Sequence, residues 1–177
     1  MSVQPTIEDD VLSRARRGDT AAFRTLVDAH HAELVRVAYV ICGDVELARD
    51  AAQAAWIKAW QGLPGLRDPE RLRPWLVAIV GNEARQSLRA RRRRSIRELP
   101  MPDDGQEPSS AAPASDTMDL AAALHRLEPL DRELLAMRYL VGLGSDEIAR
   151  ATGRSASGVR ARLSRLTSRL REDLTDV

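Results

Sequence analysis

The strongest constraint on this chain is the spacing of apolar residues near its C-terminus, where Val159, Leu163, Leu166 and Leu170 recur at i, i+4, i+7 and i+11. That rhythm puts one stripe on an α-helix and does not suit a strand. Ser155 stands where it can cap the helix. A shorter helix precedes it, with Ser145 expected as its cap, Asp146 and Glu147 in its first turn, Ile148 and Ala149 facing inward, and Gly153 as its left-handed stop. The pair reads as a helix-turn-helix. At about 100° per residue, the face opposite the stripe centres on Ala161 and presents Ser157, Ser164 and Arg165, with Arg160 and Arg162 on its flanks. Small residues let a helix approach a major groove and arginines reach guanine edges or phosphates. Arg154, Ser155, Ser157, Arg160, Ala161, Ser164 and Arg165 are therefore the candidate DNA-contacting positions of this module.

Residues 95 to 119 interrupt the helical pattern. Pro100, Pro102, Pro108 and Pro113 stand there among serines and the acids Glu98, Asp103, Asp104 and Glu107. Such a composition buries too little to offset the entropy of ordering it, which predicts a flexible linker. The expected organisation is all-α: a helical domain over 1–94, the acidic, proline-rich linker over 95–119, and the helix-turn-helix domain over 120–177. Charge follows the same division. Residues 1–94 carry 16 basic and 12 acidic groups, the linker 1 and 6, and the remainder 10 and 8, which hides inside a net charge of +1. Two mildly basic modules flanking an acidic tether suit two contacts on one nucleic acid.

In the N-terminal part, Asp19 precedes a helix that carries Phe23, Leu26, Val27, Leu34, Val37, Ala38 and Ile41 at helical spacing and ends at Gly43. Asp44 then caps a slim helix running to about Trp60, lined by Ala48, Ala51, Ala52, Ala54, Ala55 and Ala59, on which Asp50 and Gln53 share a face. Gly62, Pro64 and Gly65 open a loop. Asp68 and Pro69 restart a helix whose buried stripe is Leu72, Trp75, Leu76, Ile79 and Val80, and whose other face carries Asn82, Arg85, Gln86 and Arg89 before the run Arg91 to Arg94. Trp56, Trp60 and Trp75 are expected in the core.

The single cysteine, Cys42, excludes an intramolecular disulfide and suits a reducing compartment, where it packs as a small hydrophobe. No stretch approaches the roughly 18 apolar residues of a membrane span, so the expected location is the cytoplasm, without membrane insertion. Enzyme chemistry finds no footing. Gly153 to Ser157 lacks the closing glycine of a nucleophile elbow, no glycine-rich lysine loop cradles phosphate, and His30, His31, His125 and Cys42 make no metal set. No cofactor is expected. A helix-turn-helix regulator with a sensing N-terminal domain is the alternative reading, since its DNA module would look much the same.

Several segments together resemble the extracytoplasmic-function group of bacterial sigma factors, in the sigma-70 family. These are Asp19 to Phe23, Asp50-Ala51-Ala52-Gln53, Lys58-Ala59-Trp60, Trp75 to Ala84, Leu127 to Arg132 with Leu134, Leu135, Arg138, Tyr139 and Gly142, and Gly158 to Arg165. The resemblance implies docking of the N-terminal module on core RNA polymerase through Asp50 and Gln53. It implies melting of the promoter minus-ten element, with Arg67, Arg71 and Arg73 of the loop from Gln61 to Arg73 facing the open strand and Asn82, Arg85 and Arg89 following the upstream duplex. It gives the minus-thirty-five element to the C-terminal helix-turn-helix, sends the linker toward the RNA exit path, and allows an anti-sigma factor as a further partner. The chain departs from the family pattern at Ala54, where an acid usually follows the glutamine, and in the loop before Trp75, which has no aromatic residue.

Overall fold

A computed structural model describes residues 7–97 and 115–175, and among these every regular element is helical. The helices are α1 (Ile7–Arg16), α2 (Thr20–Cys42), α3 (Val45–Gly62), α4 (Leu72–Arg97), α5 (Ser115–His125), α6 (Pro129–Leu135), α7 (Ser145–Thr152) and α8 (Ala156–Thr175). The all-α class expected from periodicity holds. The centre of the expected linker, 98–114, lies outside the described residues, while its two ends are helical as the last turn of α4 and the start of α5. The periodicity reading begins at Asp19 and so leaves out α1, whose buried Leu12 and Ala15 pack onto the first module from between charged neighbours.

Local chemistry sets most of the helix ends. Asp19 Oδ1 accepts hydrogen bonds from the backbone N–H groups of Ala21 and Ala22, at 2.9 and 3.0 Å, and starts α2. These bonds and the Arg14 guanidinium hold its carboxyl below the ordinary aspartate range. Gly43, at φ 69°, ends α2 in the left-handed conformation that an L side chain adopts only with strain. Asp44 follows at once: its Oδ1 accepts from Leu47 N–H at 2.9 Å and caps α3, and its Oδ2 accepts from Arg91 Nη1 at 2.7 Å. One carboxylate thus starts α3 and anchors the basic end of α4. Ala48, Ala51, Ala52, Ala55 and Ala59 are 0 to 1 % exposed, so α3 fits closely against α2 and α4.

Between α3 and α4 the chain makes two 3-10 turns, Leu63–Gly65 and Pro69–Arg71, the second capped by Asp68, which accepts from Glu70 N–H at 3.1 Å. Leu63, Leu66 and Leu72 are buried and pin this loop to the core. In the C-terminal module Pro129 opens α6, which runs into one π-type turn closed by Val141 N–H on the Ala136 carbonyl at 3.0 Å. The start of α7 corrects one expectation. Ser145 is its first helical residue and Gly144 holds the cap position, because the Glu147 carboxylate reaches back to Gly144 N–H at 2.7 Å. Gly153 stops α7 at φ 67°, and Ser155 caps α8 by accepting from Gly158 N–H at 3.1 Å, both as expected.

A single apolar core runs through both modules, from Leu12 in α1 to Leu166 in α8. Helices α2 and α4 of the first pack against α6 and α7 of the second. Arg132 crosses between them and donates through Nε to the Ile41 carbonyl at 2.7 Å. Arg162 of α8 pairs with Asp131 of α6 and ties the last helix to the same block.

Replacing Asp44 with alanine removes both the cap of α3 and the anchor of α4. The expected loss is about 1 kcal/mol, read as a Tm lowered by about 3 °C in a circular-dichroism melt. Its carboxyl is held below the ordinary value of 3.8 by the Leu47 N–H and Arg91. The stabilisation is therefore full above that value and disappears as pH falls through the lowered one.

Candidate nucleic-acid and protein interfaces

The outward face of α8 is built by the burial of its other side. Val159, Leu163 and Leu166 are buried, and Leu170 is packed against the same core. All seven positions read as candidate DNA contacts, Arg154, Ser155, Ser157, Arg160, Ala161, Ser164 and Arg165, are exposed. Arg160 lies 3.6 Å from Asp146 of α7, with both side chains largely in solvent, which leaves its guanidinium free to exchange partners. Arg162, on the flank of this face, has a structural role: its pairing with Asp131 fixes the orientation of α8 and raises its own pKa.

The second basic face lies on α4. Arg89 is exposed, Arg91 to Arg94 continue the exposure, and Asn82 and Arg85 are half-buried. Glu83 organises this region from below. It is 7 % exposed and its Oε1 accepts from Lys58 Nζ at 2.6 Å, from Asn82 Nδ2 at 3.3 Å and from Gln86 Nε2 at 3.4 Å. Lys58, the only lysine in the sequence, thereby ties α3 to α4. Beside this network Glu83, Gln86, Ser87, Arg89 and Arg93 line a shallow polar depression of about 470 Å³. The sequence reading missed Glu83 and Lys58, since two charges 25 residues apart give no local sign of pairing.

The loop arginines differ among themselves. Arg67 is exposed; Arg71 pairs with Asp68 at 3.1 Å; Arg73 makes a two-point pair with Glu33 of α2, at 3.0 and 2.5 Å. Arg73 therefore braces the start of α4 against α2 and holds the Glu33 carboxyl below its ordinary range. Arg85 is also engaged: its Nε lies 2.9 Å from Glu133 Oε2 of α6. Burial pushes the Glu133 carboxyl up, and Arg85 and Arg154 oppose that rise.

On α3, Asp50 and Gln53 are both exposed and continue along one face to Ile57, which is 57 % exposed. Gln53 and Gln61 rim an open, mainly apolar groove of about 450 Å³ whose floor is Phe23, Trp56 and Trp60. Phe23 meets the two indoles edge-on, with ring centres 5.7 and 4.8 Å apart. Trp56 is core, as expected, while Trp60 and Trp75 are only half-buried. The groove escaped the sequence reading because Phe23 and Trp60 lie on different helices. Among the described residues no His, Cys, Asp and Glu group is arranged to hold a metal ion, and no helix is long and apolar enough to cross a membrane.

Two exposed basic surfaces, one of them on a helix-turn-helix, and an apolar groove on a slim helix are the candidate contact surfaces of this all-helical chain. Residues 26–94 match Sigma-70 region 2 and residues 117–170 match Sigma-70 region 4. The chain belongs to the sigma-70 family of RNA polymerase sigma factors, in its extracytoplasmic-function group. It is 34 % identical over 172 residues to "Probable RNA polymerase sigma factor RfaY" of Xanthomonas campestris, covering 92 % of this chain and 43 % of RfaY. It is 30 % identical over 182 residues to the ECF RNA polymerase sigma factor SigG of Mycobacterium tuberculosis, covering 88 % and 48 %. The chain thus spans less than half the length of these two curated relatives. Among solved structures it is similar to CnrH in complex with the cytosolic domain of CnrY, with 25 % identity, a TM-score of 0.69, and coverage of 94 % of this chain and 96 % of that one. The alternative of a regulator with a sensing N-terminal domain gives way, since that part of the chain is the region 2 match.

Truncating Leu163 to alanine should cost about 2 to 5 kcal/mol, seen as a lowered urea midpoint. Arg165→Ala, on the opposite face, should change the stability by no more than about 0.5 kcal/mol and so leave the midpoint nearly in place.

Proposed function

We propose that this chain is a promoter-specificity factor, not an enzyme: it binds core RNA polymerase in the cytoplasm and directs transcription initiation at its own set of promoters. The observation that carries the reading is α8 and the turn before it, where all seven candidate contact residues are exposed while Val159, Leu163 and Leu166 are buried. In this reading residues 1–94 form the unit that docks on polymerase and opens the minus-ten element, residues 120–177 read the minus-thirty-five element, and residues 95–119 connect them.

Asp50 and Gln53 contact polymerase, next to an apolar groove suited to a helix from a partner protein. Arg67, Arg71 and Arg73 face the open strand, and Asn82, Arg85 and Arg89 follow the upstream duplex. Arg154, Ser155, Ser157, Arg160, Ala161, Ser164 and Arg165 enter the major groove. Arg67 and Arg89 are the most available of the N-terminal arginines: Arg71 and Arg73 are exposed too but pair with Asp68 and Glu33, and Arg85 lies against Glu133. An anti-sigma factor is the regulatory partner; the similar CnrH is bound to the cytosolic domain of CnrY.

The test is reconstitution: the purified chain added to core polymerase should yield transcripts from promoters that core alone ignores. Alanine at both Asp50 and Gln53 should weaken core binding in a titration with helix content unchanged, and equal affinity would remove these residues from the docking face. Arg165→Ala should lose about 1 to 3 kcal/mol of promoter discrimination if it reads a guanine. If it holds a phosphate instead, all sequences should weaken together and the slope of log affinity against log salt should flatten by about one unit.

A further inference from the structure

Asn82 and Gln86 stand one turn apart on α4, and a single atom holds both. Glu83 Oε1 accepts from Asn82 Nδ2 at 3.3 Å and from Gln86 Nε2 at 3.4 Å, while the Lys58 ammonium of α3, 2.6 Å away, fixes that oxygen in place. The carboxylate is buried, whereas Asn82 is half-buried and Gln86 exposed. A carboxylate paired with an ammonium offers acceptors only, so an amide that turned over would set its own oxygen against it. Each NH2 group is therefore committed to Glu83, and the amide oxygens are the atoms left over. Neither oxygen meets a donor among the described residues, and neither is sealed from solvent.

Arg89 and Arg93 line the same depression as Glu83 and Gln86. This part of α4 thus combines guanidinium groups, which suit phosphates, with two acceptors of fixed orientation, which suit base edges. In the major groove adenine and cytosine present an amino group where guanine and thymine present a carbonyl oxygen. An outward amide oxygen bonds the first pair of bases and repels the second. We propose that the Lys58–Glu83 pair sets base preference: it locks the amides of Asn82 and Gln86 with their oxygens outward, so that α4 selects adenine or cytosine over guanine or thymine on the strand it faces. The inference rests on the reading of α4 as the helix that follows the upstream duplex. Lys58 and Glu83 are positioning residues in it and touch no base themselves.

Holoenzyme assembled from core polymerase and the full chain is offered promoters randomised across the minus-ten element and the base pairs upstream of it, and the bound molecules are sequenced. The expected result is a preference of roughly tenfold for adenine or cytosine over guanine or thymine at one or two upstream positions. Glu83→Gln keeps the side-chain shape but lets both amides turn, since a glutamine donates as well as accepts. The preference should then fall to near parity, while affinity for a duplex of mixed sequence does not fall, because a negative charge has been removed. Lys58→Arg keeps the ion pair and should retain the preference. Alanine at both Asn82 and Gln86 should abolish it, and adding Glu83→Gln to that double variant should change nothing further. If the double alanine variant leaves every preference unchanged, α4 does not read the duplex and the proposal falls with that reading. If it abolishes a preference that Glu83→Gln leaves intact, the positioning role alone is overturned. A lost preference for guanine or thymine overturns the outward acceptors. Loss of mixed-sequence affinity in step with the preference in Glu83→Gln marks a purely structural role and overturns the proposal as well.

Discussion

The arrangement of the two modules depends on a buried arginine, Arg132, that makes no salt bridge among the described residues and bonds to carbonyls instead. Arg132 donates to the carbonyls of Ile41, His125 and Leu127, at 2.7, 3.2 and 3.0 Å. Two of these belong to the end of α5 and the turn before α6; the third closes α2 in the other module. Its burial pushes the guanidinium pKa down from the ordinary value, a sign of the desolvation that the three carbonyl dipoles must offset. Because arginine presents a planar fork of donors, one side chain can serve three acceptors from two directions, which a lysine could not do with the same geometry. The relation of α5, α6 and α2 is set at this point, and through the Asp131–Arg162 pair so is the position of α8.

The basic residues of the protein divide into those that hold the fold and those left for partners. Arg91, Arg132 and Arg162 join separate helices, and Arg73, although assigned to the open strand, also braces α4 against α2 through Glu33. Arg67, Arg89, Arg154 and Arg165 are exposed and belong to the faces assigned to nucleic acid. The near balance of charge over the chain therefore says little about its surface, since many of the acids are spent on helix caps and on anchoring arginines from inside. Glu83 shows the same economy for polar groups: one buried carboxylate orients Lys58, Asn82 and Gln86, and so shapes the face of α4 without reaching solvent itself.

What could be read from the sequence was whatever is settled within a few residues. Asp44 and Ser155 as caps, Asp19 as the residue before a helix, Gly43 and Gly153 as stops, and the burial of Val159, Leu163 and Leu166 all follow from local hydrogen bonding and period, and the structure has each of them. Ser145 was misplaced by one residue because a glutamate three positions after Gly144 competes for the capping role. The contacts between modules were not legible. Charged residues are rarely buried, nothing local in Asp131, Arg132 and Glu133 marks them for it, and only the finished packing shows all three buried. One trace was present in the sequence, the glycine at position 81 in a strongly helical stretch, but its meaning depends on the Glu133 carboxylate, 52 residues away, which a Cβ there would overlap.

The alanines of α3 give that helix two unequal histories of change. On the side facing α2 and α4, where five of them are at most 1 % exposed, any larger residue overfills a tight contact at about 1 to 3 kcal/mol, and glycine would weaken the helix. Few alternatives survive there. Asp50, Gln53 and Ile57, on the open side, can be exchanged with almost no effect on the rest of the fold. A lineage of such proteins can therefore diverge in partner choice by drifting along one stripe of a single helix, while the other stripe records ancestry.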